Sequence, residues 1–252
     1  MSKWTFFGKV HPERIPVTWD VPISARARQP DFGITFDYRA VIHASQVIVD
    51  IEVITGAPDI DSLRHVAQNC ARMITDLVGY GAGCFLDVEI ISVISRDNDE
   101  WRIFGTEIPV LVARENSHRH SAFSGELVKA VVGNPYATLA LRDFQKAMGD
   151  GIGTGFYCYR AVEAMMQSMK TAEIDKDKQA WERLNQVLCL NRSASETIKR
   201  HADFPRHGKP SSMTDDERAT VFELTDEIIR RFIEYLRRGK EPLSAEEFPI
   251  LT

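Results

Sequence analysis

The sequence has too little positive charge for a protein that binds long duplex nucleic acid over its whole surface. Its 252 residues hold 31 Lys and Arg against 36 Asp and Glu, which gives a formal net charge of −5. Proteins of that class are usually basic, because the phosphates they contact are matched by cations. We therefore expect no long duplex DNA as a partner, whereas a local basic site remains compatible with this composition.

Long apolar segments are also missing. No stretch approaches about 18 uninterrupted apolar residues, which is near the minimum for a membrane-spanning helix. Residues 1–9 have no long apolar core and no cleavage site of small residues, so they do not resemble a signal peptide. We expect no membrane partner and, by default, a cytoplasmic location.

Cysteine is scarce and is not arranged in motifs. The four cysteines are Cys70, Cys84, Cys158 and Cys189, and none forms a CxxC pair. This favours free thiols in a reducing compartment over a disulfide framework. Cys84 has no nearby histidine motif, so we interpret it as a buried thiol and not as a nucleophile.

The sequence lacks a convincing phosphate loop or metal-ligand pattern. The glycine-rich segment Gly79–Gly83 follows a predicted helix and precedes a predicted strand, the reverse of the order in dinucleotide and P-loop sites. A helix end and turn explain it better. The segment His118–His120 has no cysteine or carboxylate at ligand spacing, so we expect no metal there. We predict no cofactor.

Residues 1–113 have the pattern of an antiparallel sheet covered by one helix. Apolar and β-branched residues alternate along several short segments, which is typical of half-buried strands. Asp59 opens an amphipathic helix of about five turns, which we expect to end in the glycine-rich segment. The predicted strands are 4–10, 15–27, a hairpin over 34–55 with its turn at 43–46, 85–95 and 101–112.

The second half is predicted to be all-α, so the fold class is α+β with two domains. The polar segment Arg114–Gly125 is the best linker candidate, residues 126–240 form a five-helix bundle, and residues 241–252 are a tail. Thr214 and Glu217 fit a capping box at the start of the last helix. The predicted helices run from about 126 or 135 to 148, 155–170, 178–190, 193 to the segment after Ile198, and 214–238.

One connection between two of these helices concentrates chemically active side chains. Pro205 lacks an N–H and disfavours helix at Phe204, so we expect a helix ending near Phe204, a kink, and Arg206 and His207 displayed beyond it. Cations can hold a phosphate, and histidine can move protons near neutral pH. A solvated helix end, where such residues stabilise terminal carbonyls, is the alternative. The candidate residues are Lys199, Arg200, His201, Asp203, Arg206, His207 and Lys209, with Gly208 and Pro210 ending the turn.

Two motifs in residues 126–240 resemble the HEPN superfamily of helical domains. Arg200 and His207 have six residues between them, which fits that family's Arg-then-His signature. The segment Tyr159–Glu163 reads YRxxE and Arg206–Lys209 reads RHGK, a combination that resembles Apea-like HEPN domains. The sequence departs from the family pattern in having His201 directly after the arginine and Pro205 inside the motif.

The resemblance implies a metal-independent ribonuclease that works as a homodimer. On this hypothesis Arg200 and His207 are catalytic: the histidine transfers the proton and the arginine stabilises charge on the phosphate. Glu163 would orient an arginine by pairing with it. The alternative is a non-catalytic dimerisation or nucleotide- or RNA-binding module. The binding residues implied are Arg206, Lys209, His201, Asp203, Glu163 and Arg160.

Overall fold

The fold is α+β, as predicted, and it comprises two compact units, Met1–Thr106 and Glu107–Thr252. The computed structural model describes residues 2–105, 107–113, 125–209 and 213–252. The predicted linker lies outside these residues except for Gly125, which begins a helix, and the segment 118–120 also lies outside them. No helix in the described ranges combines the length and apolarity needed to cross a membrane.

The first unit is a six-stranded antiparallel sheet covered on one face by a long helix, α1 (Ile60–Ala82). The strand order is β2-β3-β4-β1-β5-β6, and every neighbouring pair is antiparallel. Buried side chains alternate along the inner strands and form one core with the apolar face of α1. The strands are β1 (Ser2–His11), β2 (Trp19–Gln29), β3 (Ile34–His43), β4 (Gln46–Thr55), β5 (Asp87–Ser95) and β6 (Trp101–Ile103).

The sequence features of the strands explain their places in the sheet. Ala44 and Ser45 both have positive φ, 47° and 63°, and join β3 to β4 in the predicted hairpin. Strand β2 contains Pro22 and lies at the edge of the sheet, with a register shift between Trp19 and Ile23. Proline is tolerated at this edge because a donor is not required there.

Helix α1 begins at the predicted cap and ends within the predicted glycine-rich segment. The Asp59 side chain accepts a hydrogen bond from the Ser62 amide, and Gly83 ends the helix in the left-handed conformation. The helix continues through Gly79, where a Cβ would lie 2.8 Å from the Cys84 carbonyl oxygen. Gly79 therefore permits a close approach of the returning chain and does not end the helix.

The prediction of one strand over 101–112 is wrong in its second half. Only Trp101–Ile103 pairs in the sheet, whereas Pro109–Ala113 forms a short helix, α2, whose Leu111 lies in the core of the second unit. The β-branched Val110 and Val112 suggested a strand. Pro109 is instead the first residue of a helix, where its missing N–H costs nothing.

The second unit contains the five predicted helical regions, and the first of them is divided in two. Asn134 caps a new helix by accepting hydrogen bonds from the amides of Tyr136 and Ala137, with Pro135 at its first position. Thr214 and Glu217 form the predicted capping box. The helices after α2 are α3 (Gly125–Val132), α4 (Pro135–Gly149), α5 (Thr154–Gln167), α6 (Asp177–Val187), α7 (Arg192–Arg206) and α8 (Asp215–Arg237).

Helix α5 is central in this unit, because it packs against α4, α6, α7 and α8. Its approach to α7 is very close at Gly155, where a Cβ would lie 2.5 Å from the His201 carbonyl oxygen. Only a glycine allows the two backbones to meet at this distance.

Helix α7 continues through Pro205 and ends at Arg206, two residues after the predicted end near Phe204. Proline removes one backbone hydrogen bond, the one that would reach the His201 carbonyl. That carbonyl lies against Gly155 of α5. Since Pro205 lies in the last turn, few later residues depend on an uninterrupted helix. Pro210 lies outside the described residues.

Residues 241–252, predicted as a tail, pack against the helices. Leu243 and Phe248 are buried, and the Leu243 amide donates to the Val187 carbonyl at 2.9 Å. Leu251 forms a parallel bridge with Leu190. These residues contribute to the core of the helical unit.

Candidate functional site

Helix α7 carries the candidate residues on two of its flanks. Its buried face consists of Ala194, Ser195, Ile198 and Ala202. Since successive residues are about 100° apart around a helix of 3.6 residues per turn, this face fixes the direction of every other side chain. Lys199, Asp203 and Arg206 fall on the flank beside α5, whereas Arg200 and the cap residue His207 fall on the outer side.

The flank beside α5 contains a half-buried acid with two arginines nearby. Arg206 Nη1 lies 3.5 Å from Glu163 Oε1, which joins α7 to α5. Burial raises the pKa of the Glu163 carboxyl above its ordinary value, and the positive charges of Arg206, Arg160 and Lys199 oppose that shift. The predicted pairing of Glu163 with an arginine is therefore present, and its partner is Arg206.

Arg160 projects from α5 toward α4. Its Nη2 atom lies 3.3 Å from Oδ2 of Asp143, whose side chain is only 1% exposed. Burial raises the pKa of the Asp143 carboxyl, and the charges of Arg160, Lys146 and Arg142 oppose it. The Arg160 guanidinium also lies over two rings, 5.5 Å from the Phe156 centroid and 5.9 Å from the Tyr157 centroid.

The outer side of α7 presents Arg200 and His207 to solvent. Arg200 Nη2 lies 3.4 Å from Thr197 Oγ1, and among the described residues neither Arg200 nor His207 forms an ion pair. A concavity of about 390 Å³ opens beside Arg200, and His207 is not among its lining residues. The described residues that line it are Ser193, Glu196, Thr197, Lys199, Arg200 and Asp203, all from α7.

The remaining predicted residues lie around the end of α7. Lys209 Nζ lies 5.9 Å from the centroid of the exposed Phe204 ring. Asp203 lines the concavity, and the His207 amide donates to its backbone carbonyl at 3.2 Å. His201 is half-exposed and its backbone contacts Gly155. The structure therefore brings Arg206 and Glu163 together and places Arg160 near them, while Arg200 and His207 lie apart from this cluster.

Tyr159 lies under the cluster as a structural element. Its ring stacks on Trp181 of α6, with centroids 6.0 Å apart, and burial raises the pKa of its hydroxyl to about 12. The hydroxyl therefore remains protonated near neutral pH. The YRxxE segment thus supplies three core residues, Tyr159, Ala161 and Val162, and two partly exposed residues, Arg160 and Glu163.

Sequence reasoning missed the contribution of α4. Asp143 and Lys146 follow Arg142 in a charged stretch that reads as an exposed helix face, yet Asp143 is buried against Arg160. The one available signal is the spacing of Ala140, Phe144 and Ala147, which places the core face of α4 next to position 143. Only the packing of α4 on α5 shows that Asp143 meets Arg160.

The arrangement can bind anions, and it offers an imidazole for proton transfer. In the described part of the helical unit, no three His, Cys, Asp or Glu side chains converge closely enough to hold a metal ion. Burial raises the pKa of the Cys158 thiol in α5 to about 12, so that thiol is not a nucleophile at neutral pH. All four cysteines are free; Cys70 and Cys158 are buried, and the other two are half-exposed.

Comparison with known families finds matches to both units. Residues 4–104 match a family model described as the N-terminal domain of a domain of unknown function, DUF8168, and residues 125–237 match the model of its C-terminal domain. The two matched segments follow the division of the fold into a sheet unit and a helical unit. Neither description names an activity. No curated protein and no solved structure matches the chain.

Proposed function

We propose that the helical domain binds single-stranded RNA on the outer side of α7 and that Arg200 and His207 act on the bound phosphate. The observation that supports this most directly is the availability of both side chains. Arg200, in the middle of α7, and His207, at its C-terminal cap, are both exposed, and neither is paired with a carboxylate in the described ranges. Arg206, by contrast, is paired with the Glu163 carboxylate.

The chemistry of the pair suits phosphoryl transfer from a ribose. The guanidinium of Arg200 can donate two parallel hydrogen bonds to phosphate oxygens and stabilise charge that builds there. The His207 imidazole takes the proton from the ribose 2′-hydroxyl, whose oxygen then bonds to the adjacent phosphorus as the bond to the 5′-oxygen breaks. A second imidazolium must protonate the departing 5′-oxygen, and the His207 of a second copy in a homodimer would supply it.

The openness of the site favours binding as the simpler alternative. Among the described residues, only those of α7 line the concavity, and His207 is not one of them. A site that exposes the phosphate to water gains less from electrostatic stabilisation than an enclosed one. A non-catalytic RNA- or nucleotide-binding module is therefore the second candidate, in which Arg200 binds the phosphate and no bond is broken.

The test is cleavage of a labelled single-stranded RNA by the full chain in the presence of EDTA. We expect cleavage by the wild type and its loss in Arg200→Ala and His207→Ala. The first variant lacks the side chain that stabilises charge on the phosphate, and the second lacks the one that transfers the proton. Arg183→Ala is the matched control, since Arg183 Nη1 makes a comparable bond to Gln186 Oε1 at 3.3 Å on the neighbouring helix α6.

Three results separate the candidates. Cleavage that disappears in both variants and persists in the control supports the ribonuclease. RNA binding without cleavage, weakened in Arg200→Ala, supports the binding module. Equal behaviour of the wild type and all variants, with unchanged thermal unfolding, contradicts both proposals.

A further inference from the structure

Several cations cluster with carboxylates on the helical domain along α5, beside the outer side of α7 that carries Arg200 and His207, here called the α7 face. Asp143 and Glu163 are each surrounded by cations, which oppose the effect of burial on the pKa of both carboxyls. Five cations therefore act on these two acids, and two further carboxylates lie in the same region, Asp177 beside Glu163 and Asp203 beside Tyr159. These cations come from three helices: Arg142 and Lys146 from α4, Arg160 from α5, and Lys199 and Arg206 from α7.

Aromatic rings lie between these cations. Lys146 Nζ lies 5.6 Å from the Tyr157 centroid, and Arg160 lies over both Tyr157 and Phe156. The two rings meet edge to face, with centroids 5.3 Å apart; both are partly buried, and Tyr157 packs against the helical core. Alternating cations and aromatic faces are the usual components of surfaces that bind single-stranded nucleic acid, because every base has a face that can stack.

A buried carboxylate fixes the centre of this arrangement. Asp143 is 1% exposed, and among the described residues neither of its carboxylate oxygens has a hydrogen-bond partner, although Arg160 Nη2 lies 3.3 Å away. Burying an incompletely bonded carboxyl costs stability. Asp143 holds the Arg160 guanidinium over the Phe156 and Tyr157 rings. Asp143 therefore influences this surface by positioning Arg160.

We propose that Lys146, Phe156, Tyr157 and Arg160, here called the α5 platform, bind the bases and phosphates of single-stranded RNA. This inference rests on the proposed function, because Lys199 and Arg206 connect the platform to the α7 face. Single-stranded RNA fits the platform because its bases are free to stack on the rings while its phosphates meet the cations. A duplex keeps its bases stacked within the helix and offers only its phosphates.

The experiment compares the affinity of the full chain for labelled oligouridine and for an abasic chain with the same number of phosphates. Tyr157→Leu should weaken oligouridine binding by about tenfold and leave the abasic chain unaffected, since it removes stacking only. Lys146→Ala should weaken both and reduce the slope of log affinity against log salt by about 0.7, the value for one contact to a single strand. Tyr80→Leu and Lys178→Ala are matched controls, because both residues are highly exposed elsewhere.

A separate variant tests whether Asp143 positions Arg160 for RNA binding. Asp143→Asn keeps the shape of the side chain and the charge of Arg160 but weakens the hold on the guanidinium. We expect weaker oligouridine binding with an unchanged salt slope and an unchanged affinity for the abasic chain. A loss of affinity for both chains together with a lower unfolding temperature would show a structural role only.

The outcomes distinguish this inference from the proposed function. If Arg200→Ala weakens oligouridine binding while Tyr157→Leu and Lys146→Ala match the controls, the proposal that the α5 platform binds RNA is contradicted. The proposal that RNA binds the α7 face is then supported. If oligouridine, the abasic chain and polyglutamate all bind alike, the surface is a general anion patch and the platform is also wrong. If the wild type binds none of them, both proposals are contradicted.

Discussion

Gly155→Ala tests whether the contact between α5 and α7 positions the candidate site. The added Cβ would lie 2.5 Å from the His201 carbonyl oxygen and 2.7 Å from its carbonyl carbon. Carbon contacts are normally about 3.5 Å or longer, so the helices must separate by about 1 Å. Both atoms belong to the backbone, so no change of rotamer relieves the collision.

The expected cost follows from two opposing effects. Overpacking of this kind costs up to about 3 kcal/mol, and alanine recovers about 1 kcal/mol of helix propensity relative to glycine. We therefore expect the free energy of unfolding to fall by about 2 kcal/mol, measured by urea unfolding followed by far-UV circular dichroism. RNA binding should weaken as well, because α7 carries Arg200 and His207.

Gly149→Ala is the matched control for this prediction. Gly149 is the last residue of α4, and a Cβ placed there has no heavy atom of a described residue within 4 Å, apart from its chain neighbours and the backbone of its own helix. This variant should retain or slightly gain stability and should bind RNA like the wild type. If Gly155→Ala is as stable as Gly149→Ala, α5 and α7 do not approach each other as described.

Two further predictions concern buried charges. Because the pKa of Asp143 is raised in the folded state, the protonated carboxyl stabilises the fold relative to the ionised one. This contribution is complete below the pKa that Asp143 has in the unfolded chain. It is lost as pH rises through the pKa of the folded state. Asp143→Asn should therefore gain stability relative to the wild type as pH rises in the weakly acidic range, and a difference that is constant with pH in urea unfolding would contradict this. Arg231→Ala should cost about 3 kcal/mol, because Arg231 binds Glu227 at 2.8 Å and three backbone carbonyls while only 4% exposed. The half-exposed Arg230→Ala should cost less than about 1 kcal/mol in the same thermal unfolding assay, and equal losses would refute the assignment.

The sequence was sufficient for the elements whose local signals and tertiary contacts agree. The turn at Ala44 and Ser45, the caps at Asp59 and Thr214, and the edge position of β2 were all predicted from residue type. These features depend on backbone conformation within a few residues. For that reason a single sequence contains the information that determines them.

The differences arise where a distant part of the chain decides the local structure. Pro205 suggested a helix end near Phe204, but α7 continues to Arg206, since only the His201 carbonyl loses a partner and Gly155 lies against it. Val110 and Val112 suggested a strand, but Leu111 packs with helices much later in the chain. The platform around Asp143 and Arg160 depends on the packing of α4 against α5, which no spacing within either helix specifies.

The most direct test of the account is whether His207 contacts single-stranded RNA. Histidine side chains can be followed by NMR in the isotopically labelled full chain while oligouridine is added. We predict that the imidazole resonances of His207 shift to saturation, whereas those of His43, which lies 2.7 Å from Asp20 in the sheet unit, do not move. Unchanged His207 resonances at an RNA concentration that saturates binding would contradict the proposal that this end of α7 acts on RNA.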